Sequence, residues 1–282
     1  MKTIRISLKD DSYDVYIGKG LLERVGELLQ PILPSSRVML VADPIVYRLY
    51  GQKCIDSLCS AGFQVAESLI KVGEESKSLE QAQKLYEAAL AAGLDRKSTF
   101  LALGGGVTGD LTGFVAATYL RGTGYVQLPT TLLAQVDSSV GGKVAVNLPQ
   151  GKNLVGAFHQ PLAVLADTSV LFSLPARHIK AGLGEVIKYG IIWDEVFFNY
   201  LEENISCLLT NPPEPTVLAK AIARSVEIKA EIVGRDEKEG NSRRVLNFGH
   251  TYGHALEAAT NYQAYYHGEA VLAGMAMAAK LA

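Results

Sequence analysis

Apolar positions in the first half of the chain recur at two periods. TIRISL and YDVYIG alternate apolar and polar side chains around a DDS turn, which predicts two short strands joined as a hairpin. GLLERVGELLQ, VYRLYGQKCIDSLCSAG and SLEQAQKLYEAALAAGL carry apolar residues at helical spacing. Between them RVMLVAD, FQVAESLI and TFLAL read as strands, and TFLAL runs straight into GGGVTGDLTGFVAATYL, a glycine-rich turn that opens a helix. Strands separated by helices of this length predict a mostly parallel, Rossmann-like sheet with helices on its faces. After Leu174 the strand signals fade. ARHIKAGLGEVIKYGIIW, DEVFFNYLEENISCLL, EPTVLAKAIARSVEIKAEIVGRD and the histidine-rich stretch from Val245 are helical patterns, with TNPPEPT a loop between two of them. The expected architecture is an α/β domain over residues 1–172 and an all-α domain over residues 173–282, divided near Phe172–Pro175. The terminal VLAGMAMAAKLA is a helical pattern without a stop signal, so the second domain is expected to be incomplete at its C-terminal side.

Composition narrows the class. The chain has 282 residues, 48% of them hydrophobic and 20% charged, the profile of a soluble globular protein. Its 27 basic and 29 acidic residues leave a net charge of −2, which gives no bulk attraction for nucleic acid or an anionic membrane. No apolar run approaches the roughly 20 residues needed to span a bilayer, and the start lacks the apolar core of a signal peptide. Cys54, Cys59 and Cys207 are odd in number and lack CxxC spacing, as expected of free thiols in a reducing cytoplasm.

Candidate chemistry sits in three places. Gly104, Gly106 and Gly109 match GxGxxG between a strand and a helix, where glycine lets a phosphate approach free backbone amides. Tight packing is the competing explanation, because this is not the chain's first strand–helix turn and no acidic residue ends the following strand. If a dinucleotide binds, Asp110 would serve its ribose or nicotinamide side. The stretch Arg121–Pro161 is rich in polar groups, fits neither period, and reads more as site than as scaffold. Its Arg121, Lys143 and Lys152 are candidates to hold an anionic substrate. Three of the five histidines, His250, His254 and His267, fall close together. A catalytic zinc takes three protein ligands and keeps one position open. His250 and His254 share a helix face, so spacing alone makes them the natural pair. Glu257, Glu269 and Glu185 are the available carboxylates, and the glutamate of an HExxH site is missing.

GGGVTGDLTGFVAATYLRG, LPTTLLAQVDSSVGGKVAVNLPQGKNLVGAFHQP, GLGEVIKYG and LNFGHTYGHALE followed by YYHGEAV together resemble the 3-dehydroquinate synthase family of sugar-phosphate cyclases, in order from about Val41 onward. The resemblance implies zinc (or cobalt) held by Glu185, His250 and His267, with His254 turned to the substrate. It implies NAD near Asp43, Glu74, Lys77, Gly105, Gly106, Val107, Asp110, Thr130 and Thr131, with Lys143 and Lys152 adjoining. Substrate contacts would come from Arg121, Asp137, Lys143, Lys152 and Asn153, and from Lys188, Lys229, Arg243, Asn247 and His254. The implied reaction converts a heptulosonate 7-phosphate to 3-dehydroquinate. An alcohol is oxidised, phosphate is eliminated, the ketone is reduced back and an aldol step closes the ring. NAD is thus used without net redox, and the implied assembly is a homodimer. Ile45 and His178 depart from residues common in the family, Asn and Glu respectively, and a further phosphate-binding lysine is expected beyond residue 282. Three rival expectations are another sugar-phosphate cyclase, a metal-dependent polyol dehydrogenase, which would release NADH, and a non-catalytic remnant that binds nucleotide without turning over.

Overall fold

The predicted hairpin forms at the edge of a seven-stranded sheet. β1 (Lys2–Ile6) and β2 (Tyr13–Gly18) pair antiparallel with Ile4 opposite Val15. A computed structural model describes residues 1–260 and 262–281. After α1 (Val25–Leu29) come β3 (Arg37–Ala42), the short α2 (Pro44–Val46) and α3 (Gln52–Ser60). β4 (Gln64–Leu69), α4 (Leu79–Ala91), β5 (Thr99–Gly104), α5 (Gly106–Thr118) and β6 (Gly124–Pro129) follow. A two-stranded hairpin, β7 (Lys143–Leu148) with β8 (Gly151–Phe158), precedes the last sheet strand, β9 (Ala163–Asp167).

The sheet order is β1-β2-β9-β6-β5-β3-β4, and every pair except β1–β2 is parallel. β5 and β9 are buried along their whole length, which explains their unbroken apolar runs. The edge strands β1 and β4 are largely exposed. Met39, Val41, Phe100, Leu111, Phe114, Val115 and Tyr125 fill one core between the sheet and its helices.

Two compact units emerge, Met1–Thr130 with Ser138–Asp167, and Thr131–Asp137 with Thr168–Ala282. The sequence expectation divided the chain at Phe172–Pro175, whereas the units part at Asp167/Thr168 and Thr131–Asp137 groups with the second. The stretch Arg121–Pro161, expected to be more site than scaffold, also contributes to the framework. Its Gly124–Pro129 is a central sheet strand, and Lys143–Leu148 buries Val144 and Val146 in the first core.

The second unit is helical. α6 (Ala176–Trp193), α7 (Glu195–Leu208) and α8 (Pro215–Arg235) match the predicted patterns and are followed by α9 (His250–Ala259) and α10 (His267–Leu281). Asp194 starts α7 by accepting a hydrogen bond from the Phe197 amide at 3.0 Å, and its other oxygen takes one from Arg224 Nε at 2.7 Å. Burial opposes ionisation of Asp194, but the Phe197 amide and Arg224 outweigh it and hold the carboxyl below its ordinary value. A depressed folded pKa contributes stability above the unfolded value, and that contribution is lost as pH falls through the folded one. Asp194→Ala should therefore cost about 1–2 kcal/mol at neutral pH in urea unfolding. Asp194→Asn keeps a cap but not the charge, so its deficit against the unchanged protein should shrink as pH falls below about 4. A deficit that stays constant over that range would rule out the Arg224 contribution.

Candidate active site

In the first unit, strand register sets the candidate nucleotide residues side by side. Ala42 of β3 pairs with Leu69 of β4 and Leu103 of β5, and Gly104 pairs with Pro129 of β6. The segments leaving these strands therefore start along one edge of the sheet. They carry Asp43, Glu74, Lys77, Gly105, Gly106 and Thr130, at the carboxyl ends where open parallel sheets bind ligands. The Thr130 amide donates to the Gly104 carbonyl at 2.9 Å, which ties two of these turns together.

The glycines divide into two kinds. A Cβ on Gly104 would collide with Thr108, one on Gly109 with Gln127, and one on Gly113 with Val144. Those are packing glycines. At Gly106 a Cβ would meet the Ser138 side chain, with Oγ at 3.1 Å. Gly105 caps α5 in an extended conformation and, as glycine, supplies no side-chain cap. Backbone amides at a helix start without a side-chain cap suit a pyrophosphate.

Beside this turn Lys77, nearly buried, forms an ion pair with Asp110 and donates to Asn153 Oδ1. The Asn153 amide donates to Asn147 Oδ1 at 2.9 Å, and Asn147 Nδ2 donates to Glu74 Oε1 at 2.7 Å. Glu74, Lys77, Asp110 and Asn153, far apart in sequence, thus form one hydrogen-bonded chain. Its link, Asn147, was missed by sequence reasoning. The signal was the alternation of KVAVN, which makes β7 a strand and places Asn147 against the Lys77 carbonyl at 2.7 Å. Asp43 is not part of this chain; its carboxylate caps α2 through the Ile45 and Val46 amides at 2.8 and 3.0 Å. Lys143 and Lys152 begin and flank the β7–β8 hairpin on exposed positions. Arg121 is held at φ 71°, between Leu120 at 50° and Gly122 at 121°. Such consecutive positive-φ residues are sparsely populated and break the helix path at Arg121.

In the second unit, Thr131 opens the segment that carries Asp137 in a π turn, Ala134–Ser138. Lys229 Nζ donates to Asp137 O and Oδ1 at 2.6 and 2.7 Å, and the Tyr189 hydroxyl donates to Oδ1 at 2.8 Å. Burial alone would favour the neutral acid, but Lys229 and Lys188 overcome it and hold Asp137 far below its ordinary value. Burial, reinforced by Arg243, depresses the Lys229 ammonium, with Asp137 opposing. Arg243 is itself buried, and its Nη1 donates to the Glu237 carbonyl at 2.5 Å. Asn247 Nδ2 donates to Glu239 Oε1 at 3.0 Å. Tyr189 is a second residue that sequence reasoning missed, because an apolar ring on a helix carries no signal of its hydroxyl's partner.

Glu185 lies fully buried on α6, ion-paired to Lys188 through Oε2. Its Oε1 is sealed from solvent and has no hydrogen-bond partner among the described residues. Two imidazole nitrogens face that oxygen, His250 Nε2 at 3.9 Å and His267 Nε2 at 3.8 Å. The opposite ring atoms face acceptors, His250 Nδ1 the Phe248 carbonyl at 3.4 Å and His267 Nδ1 Glu257 Oε2 at 3.3 Å. A proton on Nδ1, donated to these acceptors, would leave each Nε2 lone pair free for a metal. Neighbouring ligands on a tetrahedral zinc stand about 3.4 Å apart, close to the separation of each Nε2 from Glu185 Oε1. Burial pushes the Glu185 carboxyl up, with Lys188 opposing, and pushes His250 down to about 4. His267 is raised despite its burial, through Glu257 and Glu185.

One ring nitrogen each of His250, His254 and His267 lies within 4.8 Å of the others, so geometry also admits the pair that spacing suggests. His254 is exposed, however, whereas His250 and His267 face the sealed Glu185 oxygen. Of the other two carboxylates, Glu269 is engaged by Arg177 through both oxygens, at 2.9 and 2.8 Å, and caps the Tyr266 amide.

The α/β unit thus carries a glycine turn at a helix start, and the helical unit a carboxylate–histidine cluster. Among solved structures, 2-deoxy-scyllo-inosose synthase complexed with carbaglucose-6-phosphate, NAD+ and Co2+ superposes with a TM-score of 0.91 at 31% identity, over 99% of this chain and 76% of that one. ValA, the 2-epi-5-epi-valiolone synthase of Streptomyces hygroscopicus subsp. jinggangensis 5008 with NAD+ and Zn2+ bound, does so with 0.87 at 32% identity, over 96% and 74%. The family descriptions "3-dehydroquinate synthase N-terminal" and "3-dehydroquinate synthase C-terminal" match residues 67–181 and 182–282. The 3-dehydroquinate synthase of Pelotomaculum thermopropionicum is 55% identical over all 282 residues, which span 76% of that protein. The chain belongs to the 3-dehydroquinate synthase family.

Two substitutions probe the two units. Gly106→Val sets a branched side chain before the α5 amides and should abolish NAD binding in a titration while leaving the circular dichroism spectrum intact; unchanged affinity would remove the turn from the site. A Cβ on Gly268 would overlap the Ala181 carbonyl oxygen where α10 meets α6. Gly268→Ala should cost about 1–3 kcal/mol in stability by overpacking. It should also weaken zinc binding, because the next residue back is His267. Unaltered zinc affinity in the variant would show that the helix spacing does not set the ligand geometry.

Proposed function

We propose that the protein is a 3-dehydroquinate synthase that converts 3-deoxy-D-arabino-heptulosonate 7-phosphate to 3-dehydroquinate, with NAD and a divalent metal and without net redox. The observation that carries the metal assignment is the sealed, unpartnered Glu185 Oε1 faced by two Nε2 atoms. Glu185, His250 and His267 would hold zinc or cobalt, leaving a position for substrate hydroxyls. The groups would supply a reversible oxidation of one substrate alcohol and a Lewis acid that lowers the pKa of that alcohol.

The chain's own residues bind and orient the substrate. It carries a carboxylate, a phosphate and several hydroxyls, and the residues assigned to it match those charges. Arg121, Lys143, Lys152, Lys188, Lys229 and Arg243 supply cations, each well-formed contact contributing about 1.5–3 kcal/mol. Asn153, Asn247 and His254 supply hydrogen bonds that orient hydroxyls. Asp137, kept ionised by Lys229 and Lys188, accepts from a substrate hydroxyl and carries no proton of its own at neutral pH. Asp43, Glu74, Lys77, Gly105, Gly106, Val107, Asp110, Thr130 and Thr131 would hold NAD. Lys77, paired with Asp110, fixes that carboxylate in place for the cofactor. No helix among the described residues is long and apolar enough to cross a membrane. A cytoplasmic homodimer is the form in which we expect it to act.

Incubation with NAD, zinc and the heptulosonate phosphate should release phosphate continuously while absorbance at the NADH band stays flat after any first turnover. A chelator should stop release, and zinc or cobalt should restore it. NADH accumulating in step with turnover would mark a dehydrogenase instead, and phosphate release from other sugar phosphates only would mark a sister cyclase.

A further inference from the structure

We propose that Glu257 is a positioning residue for the metal centre, acting through His267; this rests on the reading of Glu185, His250 and His267 as the ligands. Glu257 stands seven residues beyond His250 on α9, almost two helical turns, so the two share a stripe. Its side chain is only 7% exposed, and Oε2 lies 3.3 Å from His267 Nδ1. That contact makes Nδ1 the protonated nitrogen and turns the Nε2 lone pair toward Glu185 Oε1, 3.8 Å away.

The two histidines are supported differently. His250 has a neutral backbone carbonyl behind it, within two residues of its own chain. His267 has an anionic carboxylate from a different helix, and a carboxylate behind an imidazole both fixes the ring and strengthens it as a donor. His267 needs such an anchor more than His250 does. It is the first residue of α10, following a loop in which Tyr265 and Tyr266 are exposed. Glu257 also closes α9 with its main chain, its carbonyl accepting from the Tyr262 amide at 2.7 Å. One residue therefore shapes both the loop that leads to His267 and the orientation of its ring. The other carboxylate close in sequence, Glu269, is committed to Arg177 and the Tyr266 amide.

The test measures zinc affinity by competition with a chelator and the visible spectrum of the cobalt-loaded protein, alongside NAD affinity. Glu257→Gln is isosteric and still accepts a hydrogen bond, so it should weaken zinc binding by roughly 10-fold. Glu257→Leu should weaken it by roughly 100-fold, and both should shift the cobalt bands while NAD affinity holds. Either variant with a lower melting temperature but unchanged zinc affinity and cobalt spectrum would show a merely structural role and overturn the proposal. If the leucine variant fails to fold, the glutamine variant decides by the same readings. His267→Ala separates the two levels of inference. Its losing zinc while Glu257→Gln keeps it would sink the role of Glu257 alone, whereas its keeping zinc would sink the ligand assignment itself.

Discussion

Backbone-to-backbone contact among α6, α9 and α10 is the constraint on which the second unit depends. Added Cβ atoms on Gly184 and Gly274 would overlap the carbonyl oxygens of Gly268 and Gly249, and one on Gly253 would stand 3.1 Å from Ala270. Gly249, at φ 81°, faces Met275 in a conformation that other residues adopt only with strain. The candidate ligands sit beside these contacts in sequence: Glu185 after Gly184, His250 after Gly249, His254 after Gly253 and His267 before Gly268. Helices carrying ordinary side chains at their contact pack 8–10 Å apart. Glycine at the crossing points brings them close enough for short side chains from three helices to converge on one point.

The first unit solves the same problem by register. Four parallel strands end level with one another, so turns that are distant in sequence begin on a common edge. The β7–β8 hairpin then supplies Asn147 and Asn153, which link Glu74 to Lys77 and Asp110. Lys77, the buried member of this chain, would be costly to hold unpaired and is satisfied by Asp110 and Asn153.

Much of this was legible in the sequence, and the exceptions have physical causes. Helix periods were clear because amphipathic stripes repeat over many residues. β6 and β9 were missed because central parallel strands are short apolar runs without alternation, hard to separate from a helix segment. Motif order brought together the residues of both sites, but their partners were invisible. Spacing favours His250 with His254, since neighbours on one helix can be counted along the chain. The partner with the sealed oxygen lies 65 residues earlier, on α6. Likewise nothing in ALEAAT distinguishes a glutamate behind an imidazole from one in solvent, because that depends on which helix packs against it.

The buried cations of the second unit have a thermodynamic consequence. Lys188, Lys229 and Arg243 are all nearly inaccessible, Lys188 paired with Glu185 and Lys229 with Asp137. Holding ionised groups away from water costs free energy even when they are paired, and a divalent cation on Glu185 would add positive charge among them. Such a cluster is tense when empty and relaxes when an anion of high charge enters. The fold gives up part of its resting stability so that a multiply charged substrate finds a field already waiting for it, with few dipoles left to reorient. Ligand-free protein should thus be the most heat-labile form, and its anionic substrate its most effective stabiliser.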